Sequence, residues 1–111
     1  MVSKEEMPEC PVATCVSLIG SKWKLLILRN LMSRPWRFND LKKDLNGISQ
    51  KVLTESLRSM EEDGLITRTV YPEVPAHVEY SLSDLGESMR PIIAAMEKWG
   101  KEYKQKILNA E

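Results

Sequence analysis

Apolar side chains recur every three or four positions along the first half of the chain, and this spacing predicts helices. Pro11 suits the first turn of a short helix that ends near Gly20, and Ser21 can cap a second helix over residues 22–32. Residues 25–28 of that second helix are all leucine or isoleucine, which is too apolar for a surface element. We therefore expect the second helix to form the centre of the core.

Two further helices are predicted around a tight turn. Asn39 can cap a helix over residues 40–45, and Ser49 can cap a longer one over residues 50–63. The turn between them contains Gly47, which can adopt the positive φ that ends a helix. The pattern of this region is therefore helix, tight turn, helix.

After Gly64 the apolar period changes from about 3.6 residues to 2, which is the spacing of strands. Residues 65–71 are rich in β-branched side chains, and residues 78–82 alternate between apolar and polar. Residues 72–76 contain two prolines, which lack the amide donor that a sheet requires. This segment predicts a hairpin of two strands with a proline-stiffened loop.

A last helix is predicted from Asp84, with Ser83 as its cap and an interruption at Pro91. Beyond the proline, apolar residues follow a helical stripe nearly to the end of the chain: Ile92, Ile93, Met96, Trp99, Tyr103 and Ile107. The stripe indicates a long amphipathic helix.

Composition favours one folded domain. The chain has 111 residues, of which 42% are hydrophobic and 29% are charged. We expect residues 1–9 to be a flexible arm and residues 10–111 to form a single domain. The sequence contains no apolar run long enough for a transmembrane helix and no secretory signal, so we expect a cytoplasmic protein without membrane contact.

Charge is unevenly distributed along a chain whose 16 bases and 16 acids balance to zero. Residues 21–58 contain nine bases and three acids, a net charge of +6. A basic segment of this kind indicates a polyanionic partner, although solvated helix faces explain the same charges.

Helices, a hairpin and a final helix, in that order, predict a mainly α protein with a winged helix-turn-helix fold. Its helices would pack around a short hairpin wing, and the C-terminal helix would serve dimerisation. The helix over residues 50–63 has an apolar face for the core and a polar face for base edges and phosphates of double-stranded DNA. The candidate DNA contacts are Ser49, Gln50, Lys51, Thr54 and Arg58. A winged-helix module that binds only other proteins is the alternative.

Four stretches carry a likeness to a known family: Ile19-Gly20-Ser21-Lys22-Trp23-Lys24, Arg37-Phe38-Asn39-Asp40-Leu41, Gly47-Ile48-Ser49-Gln50-Lys51 and Val78-Glu79-Tyr80-Ser81-Leu82. With these stretches the chain resembles the HxlR family of bacterial winged helix-turn-helix transcriptional regulators. The resemblance implies a homodimer that binds a palindromic operator. It also implies that residues 72–77 form a wing along the DNA, with Pro75 and His77 as candidate contacts. Family wings commonly carry Arg or Lys at the position of His77, which alternatively is a plain loop residue.

The C-terminal stripe exceeds what the core of a small domain needs. We expect the first helix and the last helix to meet their copies in a partner subunit. The candidate dimer residues are Val12, Ile92, Met96, Trp99 and Tyr103. The alternative is that these side chains cover the core of their own subunit.

The chain contains two cysteines and one histidine, too few for a closed zinc site. Cys10 precedes the first-turn Pro11, and a helix N-terminus favours the thiolate form. In some members of the family a cysteine at this position senses electrophiles or oxidants, so Cys10 is a candidate sensor thiol, and Cys15 is expected to be packed. The alternative is that both thiols are inert.

The sequence lacks a Gly-rich phosphate loop and a nucleophile motif. We therefore expect a protein that is not an enzyme and needs no cofactor or metal. Its expected partners are double-stranded DNA, a second copy of itself and, where it is regulated, a small-molecule or electrophilic effector.

Overall fold

A computed structural model describes residue 5 and residues 7–109. Residues 1–4 and 6 of the expected arm, and residues 110–111, lie outside the described residues. The elements of the described part are α1 (Pro11–Ile19), α2 (Lys22–Leu31), β1 (Trp36–Arg37), α3 (Phe38–Asp44), α4 (Gln50–Glu62), β2 (Ile66–Tyr71), β3 (His77–Leu82), α5 (Asp84–Glu87) and α6 (Arg90–Leu108).

Serine side chains begin three of the helices, as predicted. The hydroxyl of Ser21 accepts a hydrogen bond from the amide of Lys24, and that of Ser49 accepts one from the amide of Val52, each at 3.1 Å. Ser83 accepts from the amide three residues later at 2.9 Å. These contacts satisfy amides that the helices leave free, and they fix where α2, α4 and α5 begin.

The predicted cap at Asn39 is wrong. Helix α3 begins at Phe38, two residues before the predicted start at residue 40, and Arg37 precedes it without a side-chain cap. Arg37 belongs to strand β1, so the chain passes directly from strand into helix. The turn after α3 agrees with its prediction, because Gly47 has a φ of 92° that other residues rarely adopt.

The sheet contains three strands instead of the predicted two. Its order is β1-β3-β2, and both neighbouring pairs are antiparallel. Trp36 pairs with Tyr80, and Arg37 pairs with Glu79. A strand of two residues is too short to show an alternating pattern, so its pairing with β3 was not predicted.

Helix α2 lies at the centre of the packing, as predicted, and contacts α4, β3 and α6. Its Ile27, Leu28 and Leu31 are buried. The buried core of the described part consists of Ile19, Ile27, Leu28, Leu31, Leu41, Leu45, Ile48, Leu53, Leu57, Met60, Leu65, Ile66 and Ile93. Burial of these side chains holds the helix-turn-helix against the sheet.

A polar link ties α2 to α3 within this packing. The buried amide of Asn30 donates a 2.8 Å hydrogen bond to the carboxylate of Asp44, and its backbone carbonyl accepts one from the Trp36 indole at 2.9 Å. Through its side chain and its backbone carbonyl, Asn30 thereby connects α2, β1 and α3.

The last helix is interrupted near Pro91, as predicted. Helix α5 ends at Glu87, and α6 begins at Arg90 with Pro91 in its first turn. In the described residues, no single helix combines the length and the apolar character needed to cross a membrane. Helices α1 and α2, bent by 82°, meet that test only as a pair and only by length and composition.

Candidate nucleic-acid interface

Helix α4 is held along one face and open along the other. Its Leu53, Leu57 and Met60 are buried in the core. The ammonium of Lys24 on α2 donates to the hydroxyl of Ser59 at 2.8 Å. The core and this hydrogen bond fix the rotation of α4 about its axis, so its polar face has a defined direction.

The predicted DNA contacts lie on this open face and at its N-terminal end. Gln50, Lys51 and Arg58 are exposed, and Thr54 is half-buried. Residues 50, 54 and 58 are spaced by four and therefore follow one side of the helix. Ser49 is exposed but already accepts the capping hydrogen bond. The structure thus presents three long polar side chains, whereas Ser49 mainly fixes the helix end.

A cleft runs between α4 and the sheet, and sequence reasoning assigned no role to its basic residue Arg68. Thr54, Arg58 and Glu61 line it from α4, and Arg68 and Tyr80 line it from β2 and β3. Arg68 is two residues from the buried Ile66, so strand alternation puts both on the same side of the sheet. A charged residue at a core-side position of a strand is the signal that could have identified Arg68.

The wing is the loop of residues 72–76 between β2 and β3. The peptide bond between Val74 and Pro75 is cis, and Pro75 is exposed. The family resemblance implied that His77 belongs to the wing loop, but His77 is the first residue of β3. The reason is its pairing with Tyr71 across the hairpin.

The His77 side chain is surrounded by acids. Its exposed fraction is 14%, with Nδ1 3.1 Å from the Glu73 carboxylate and Nε2 3.8 Å from that of Glu79. Its ring stacks on Tyr71 with centroids 4.7 Å apart. A hydrogen bond with Glu79 and the negative charges of Glu79 and Glu73 raise the pKa of Tyr71 above its ordinary value. The base of the wing is therefore a packed cluster with an acidic character.

The wing also faces the start of the helix-turn-helix. Residues 75–78 line a second cleft opposite Arg37, Asn39 and Lys43. Residues 21–58, whose net charge is +6, contain nine basic side chains, and all of them except Lys24 are exposed. The basic surface therefore extends over α3 and α4, and the acids of the wing base limit it on one side.

Helices α1 and α6 both carry exposed apolar side chains. On α6, the predicted dimer residues Ile92, Met96, Trp99 and Tyr103 are all exposed, whereas Ile93 points into the core. On α1, Val12 and Val16 are exposed as well. Most of the stripe therefore does not cover the core of its own subunit.

The two thiols differ in their surroundings. Cys10 is exposed and precedes the first residue of α1, whereas Cys15 is partly buried against the core, as expected. Within the described residues, no group of His, Cys, Asp or Glu side chains could hold a metal ion.

Known proteins share the sequence pattern of this helix-turn-helix. A model of the HxlR-like helix-turn-helix family matches residues 18–108. The chain belongs to the HxlR-like family. It is 43% identical over 105 residues to the uncharacterised HTH-type transcriptional regulator YdeP of Bacillus subtilis (strain 168), a match that covers 95% of this chain and 82% of YdeP.

Two solved structures of one protein share the fold. The redox regulator HypR in its oxidised form has a TM-score of 0.81 and 39% identity, covering 84% of this chain and 96% of HypR. Its reduced form has a TM-score of 0.82 and 36% identity, covering 92% and 100%. This HxlR-like protein is therefore a DNA-binding transcriptional regulator with a winged helix-turn-helix fold, and its relatives carry the names of regulators and not of enzymes.

Proposed function

We propose that this HxlR-like regulator works as a homodimer that binds a two-fold symmetric operator, with α4 of each subunit in the major groove. The observation that carries the proposal is the open polar face of α4, whose opposite face is fixed in the core. A helix that is rigidly held and polar on its outer side can place donors against base edges. Gln50 and Lys51 in its first turn would contact bases, with Thr54 and Arg58 further along the same side.

The wing would add a smaller contribution. Pro75 is exposed and can lie against the sugar–phosphate backbone. His77 would contact the DNA only from the edge of the wing, because both of its ring nitrogens face the carboxylates of Glu73 and Glu79. Most of the binding energy would therefore come from α4 and the basic surface around it.

The dimer would form through α1 and α6. Val12 on α1 and Ile92, Met96, Trp99 and Tyr103 on α6 leave apolar surface exposed that a second copy can cover. A two-fold axis between these helices would put the two α4 helices about 34 Å apart, one turn of DNA. We expect this dimer to bind chromosomal DNA in the cytoplasm.

Cys10 would make the regulator responsive to electrophiles or oxidants. Its thiol is exposed and lies at the N-terminus of α1. With a quinone, the Cys10 sulfur would form a bond to a ring carbon, and the thiol proton would end on a ring oxygen. Because α1 carries Val12 of the proposed interface, an adduct there would disturb the dimer.

Selection of bound duplexes from a random DNA pool tests the proposed function. We expect a palindrome whose half-site centres lie about 10 base pairs apart. Lys51→Ala should weaken binding to that site about tenfold, because one contact to a base or phosphate is lost. Enrichment of no sequence, or of a single half-site, would contradict the operator that we propose.

The second candidate function is a protein-binding module that does not contact DNA. The acidic base of the wing is the observation that favours it, since Glu73 and Glu79 would repel phosphates. Salt dependence separates the two functions. DNA affinity should fall steeply as salt rises from about 50 to 200 mM, because counterions are released on binding.

A further inference from the structure

We propose that Arg68 of β2 and Arg58 of α4 together hold one DNA phosphate in the cleft between the recognition helix and the sheet. This inference rests on the proposed function, in which α4 enters the major groove. It adds Arg68, a residue within strand β2 and not in the wing loop, to the DNA contacts of the recognition helix.

The cleft brings these two arginines to one place. Thr54, Arg58 and Glu61 are spaced by four and three residues, so they follow one side of α4. Arg68 lies opposite Tyr80 in the β2–β3 register. Buried neighbours, Leu57 beside Arg58 and Ile66 near Arg68, fix the backbone of both elements, so the two arginines extend from well-packed walls.

Half of the six arginines are bound within the protein. Arg29 donates to Asn30 at 2.9 Å, Arg34 lies 3.8 Å from the centre of the Trp36 ring, and Arg90 donates to the Met32 carbonyl at 2.9 Å. In the described part of the chain, the guanidinium groups of the other three, Arg37, Arg58 and Arg68, have no ion-pair or hydrogen-bond partner.

Two unpaired guanidinium groups in one cleft repel each other, and a phosphate between them removes that repulsion. Guanidinium groups bind phosphate oxygens with charge-assisted and often paired hydrogen bonds. The hydroxyl of Thr54, which lines the same cleft, can donate a further one. The carboxylate of Glu61 could compete with a phosphate for the two arginines, because it lines the same cleft. It forms no ion pair with either arginine in the described part of the chain.

The wing loop is a poorer place for such a contact. Val74 is fully exposed at its tip, and Glu73 beside it is an acid that pairs with His77. Arg68 lies three residues before the end of β2. It lines the cleft with α4, whereas no residue of the wing loop does. The phosphate next to the major groove would therefore be held by the sheet.

Four variants test the inference on the selected operator and on unrelated duplex DNA. Arg68→Ala should weaken both kinds of binding about tenfold and lower the salt slope by about 1, because a phosphate contact does not depend on sequence. Arg68→Lys should keep the salt slope. Glu61→Gln should strengthen binding about threefold, since a negative charge leaves the cleft. Lys98→Ala on α6, which removes an exposed charge outside the cleft, is the matched control and should change nothing.

The outcomes separate this inference from the function on which it rests. If the wild type selects an operator and Lys51→Ala weakens binding, but Arg68→Ala behaves like Lys98→Ala, this inference alone is overturned. A loss confined to the operator, with altered base preference, would also overturn it, because Arg68 would then read a base. Absence of DNA binding by the wild type would overturn both. Equal thermal midpoints of all variants would show that the protein's folding is unaffected.

Discussion

The indole ring of Trp99 stacks on the phenol ring of Tyr103 one turn later in α6, with centroids 5.3 Å apart and planes 12° apart. The exposed fractions of the two residues are 66% and 53%. Met96 lies on the same side of the helix and is exposed as well. Aromatic pairs with a fixed geometry provide a large apolar area at a small cost in side-chain entropy, which is why they dominate many interfaces.

The double variant Trp99→Ala, Tyr103→Ala should weaken the proposed dimer by about 2–4 kcal/mol, because two aromatic anchors are lost. Sedimentation equilibrium of the two proteins gives the dissociation constants. Gln105→Ala, a change at an exposed polar residue of the same helix, is the control. A double variant that remains as dimeric as the control would remove α6 from the interface.

Ser49→Asp should separate the capping role of this residue from its role near DNA. Aspartate caps helices as well as serine does, so the free energy of unfolding should change by less than about 0.5 kcal/mol. DNA affinity should fall about tenfold, because a negative charge now faces phosphates at the start of α4. Ser21 caps α2 with the same 3.1 Å geometry, so Ser21→Asp is the matched control and should leave DNA affinity unchanged. Equal losses in both variants would contradict this assignment.

The wing base should lose stability in alkaline solution. The hydrogen bond with Glu79 raises the pKa of Tyr71 above its ordinary value of 10.0. The folded state therefore favours the neutral phenol. Its contribution to stability is complete below pH 10.0 and is lost as the pH rises through the raised pKa. Tyrosinate absorbance, with Tyr71→Phe to assign the signal, should show that Glu79→Gln lowers this pKa. An identical titration in both proteins would count against the hydrogen bond.

Gly86→Ala should destabilise the fold through close packing. A Cβ at Gly86 would lie 2.0 Å from the carbonyl oxygen of Leu65, an atom that also accepts from the amide of Ser83. Backbone has to move to make room, so we expect a loss of about 1–3 kcal/mol in urea unfolding. Leu85→Ala, in the same short helix but 56% exposed, should cost less. A loss for Gly86→Ala no larger than that for Leu85→Ala would contradict the close packing at Gly86.

Cys10→Ser should abolish any response of operator binding to a quinone. The wild type should lose affinity after treatment, whereas the variant should bind equally before and after, because its hydroxyl is not a comparable nucleophile. Cys15→Ser is the control, since Cys15 is partly buried and should leave the response intact. Equal binding by treated and untreated wild type would mean that Cys10 is not a sensor.

Local features of the fold were predictable from the sequence. The caps at Ser21, Ser49 and Ser83 depend on contacts with amides three residues away, and the positive φ of Gly47 depends on one residue. The helix over residues 50–63 was visible because its apolar face keeps one period for three turns. Most of the candidate DNA surface is a consequence of these local choices.

Features that depend on the register between strands were not predictable. Strand β1 exists because Trp36 and Arg37 meet β3, and no pattern within two residues could indicate that pairing. The acids around His77 follow from which residues lie opposite each other in the sheet. The position of Arg68 in one cleft with Arg58 follows from how β2 packs against α4. The sequence was enough to locate the wing. Its acidic character could not be predicted without the register between β2 and β3.

Strand β1 has a consequence for how the protein can be controlled. Arg37 is hydrogen-bonded into the sheet beside β3, and the next residue, Phe38, is the first of α3. A rotation of the wing sheet therefore carries α3 with it, and the short turn at Gly47 passes the motion to α4. The sheet, α3 and α4 of one subunit are therefore linked directly along the chain. In the proposed dimer, we expect a signal at Cys10 to change the separation of the two helix-turn-helix units and not the shape of either one.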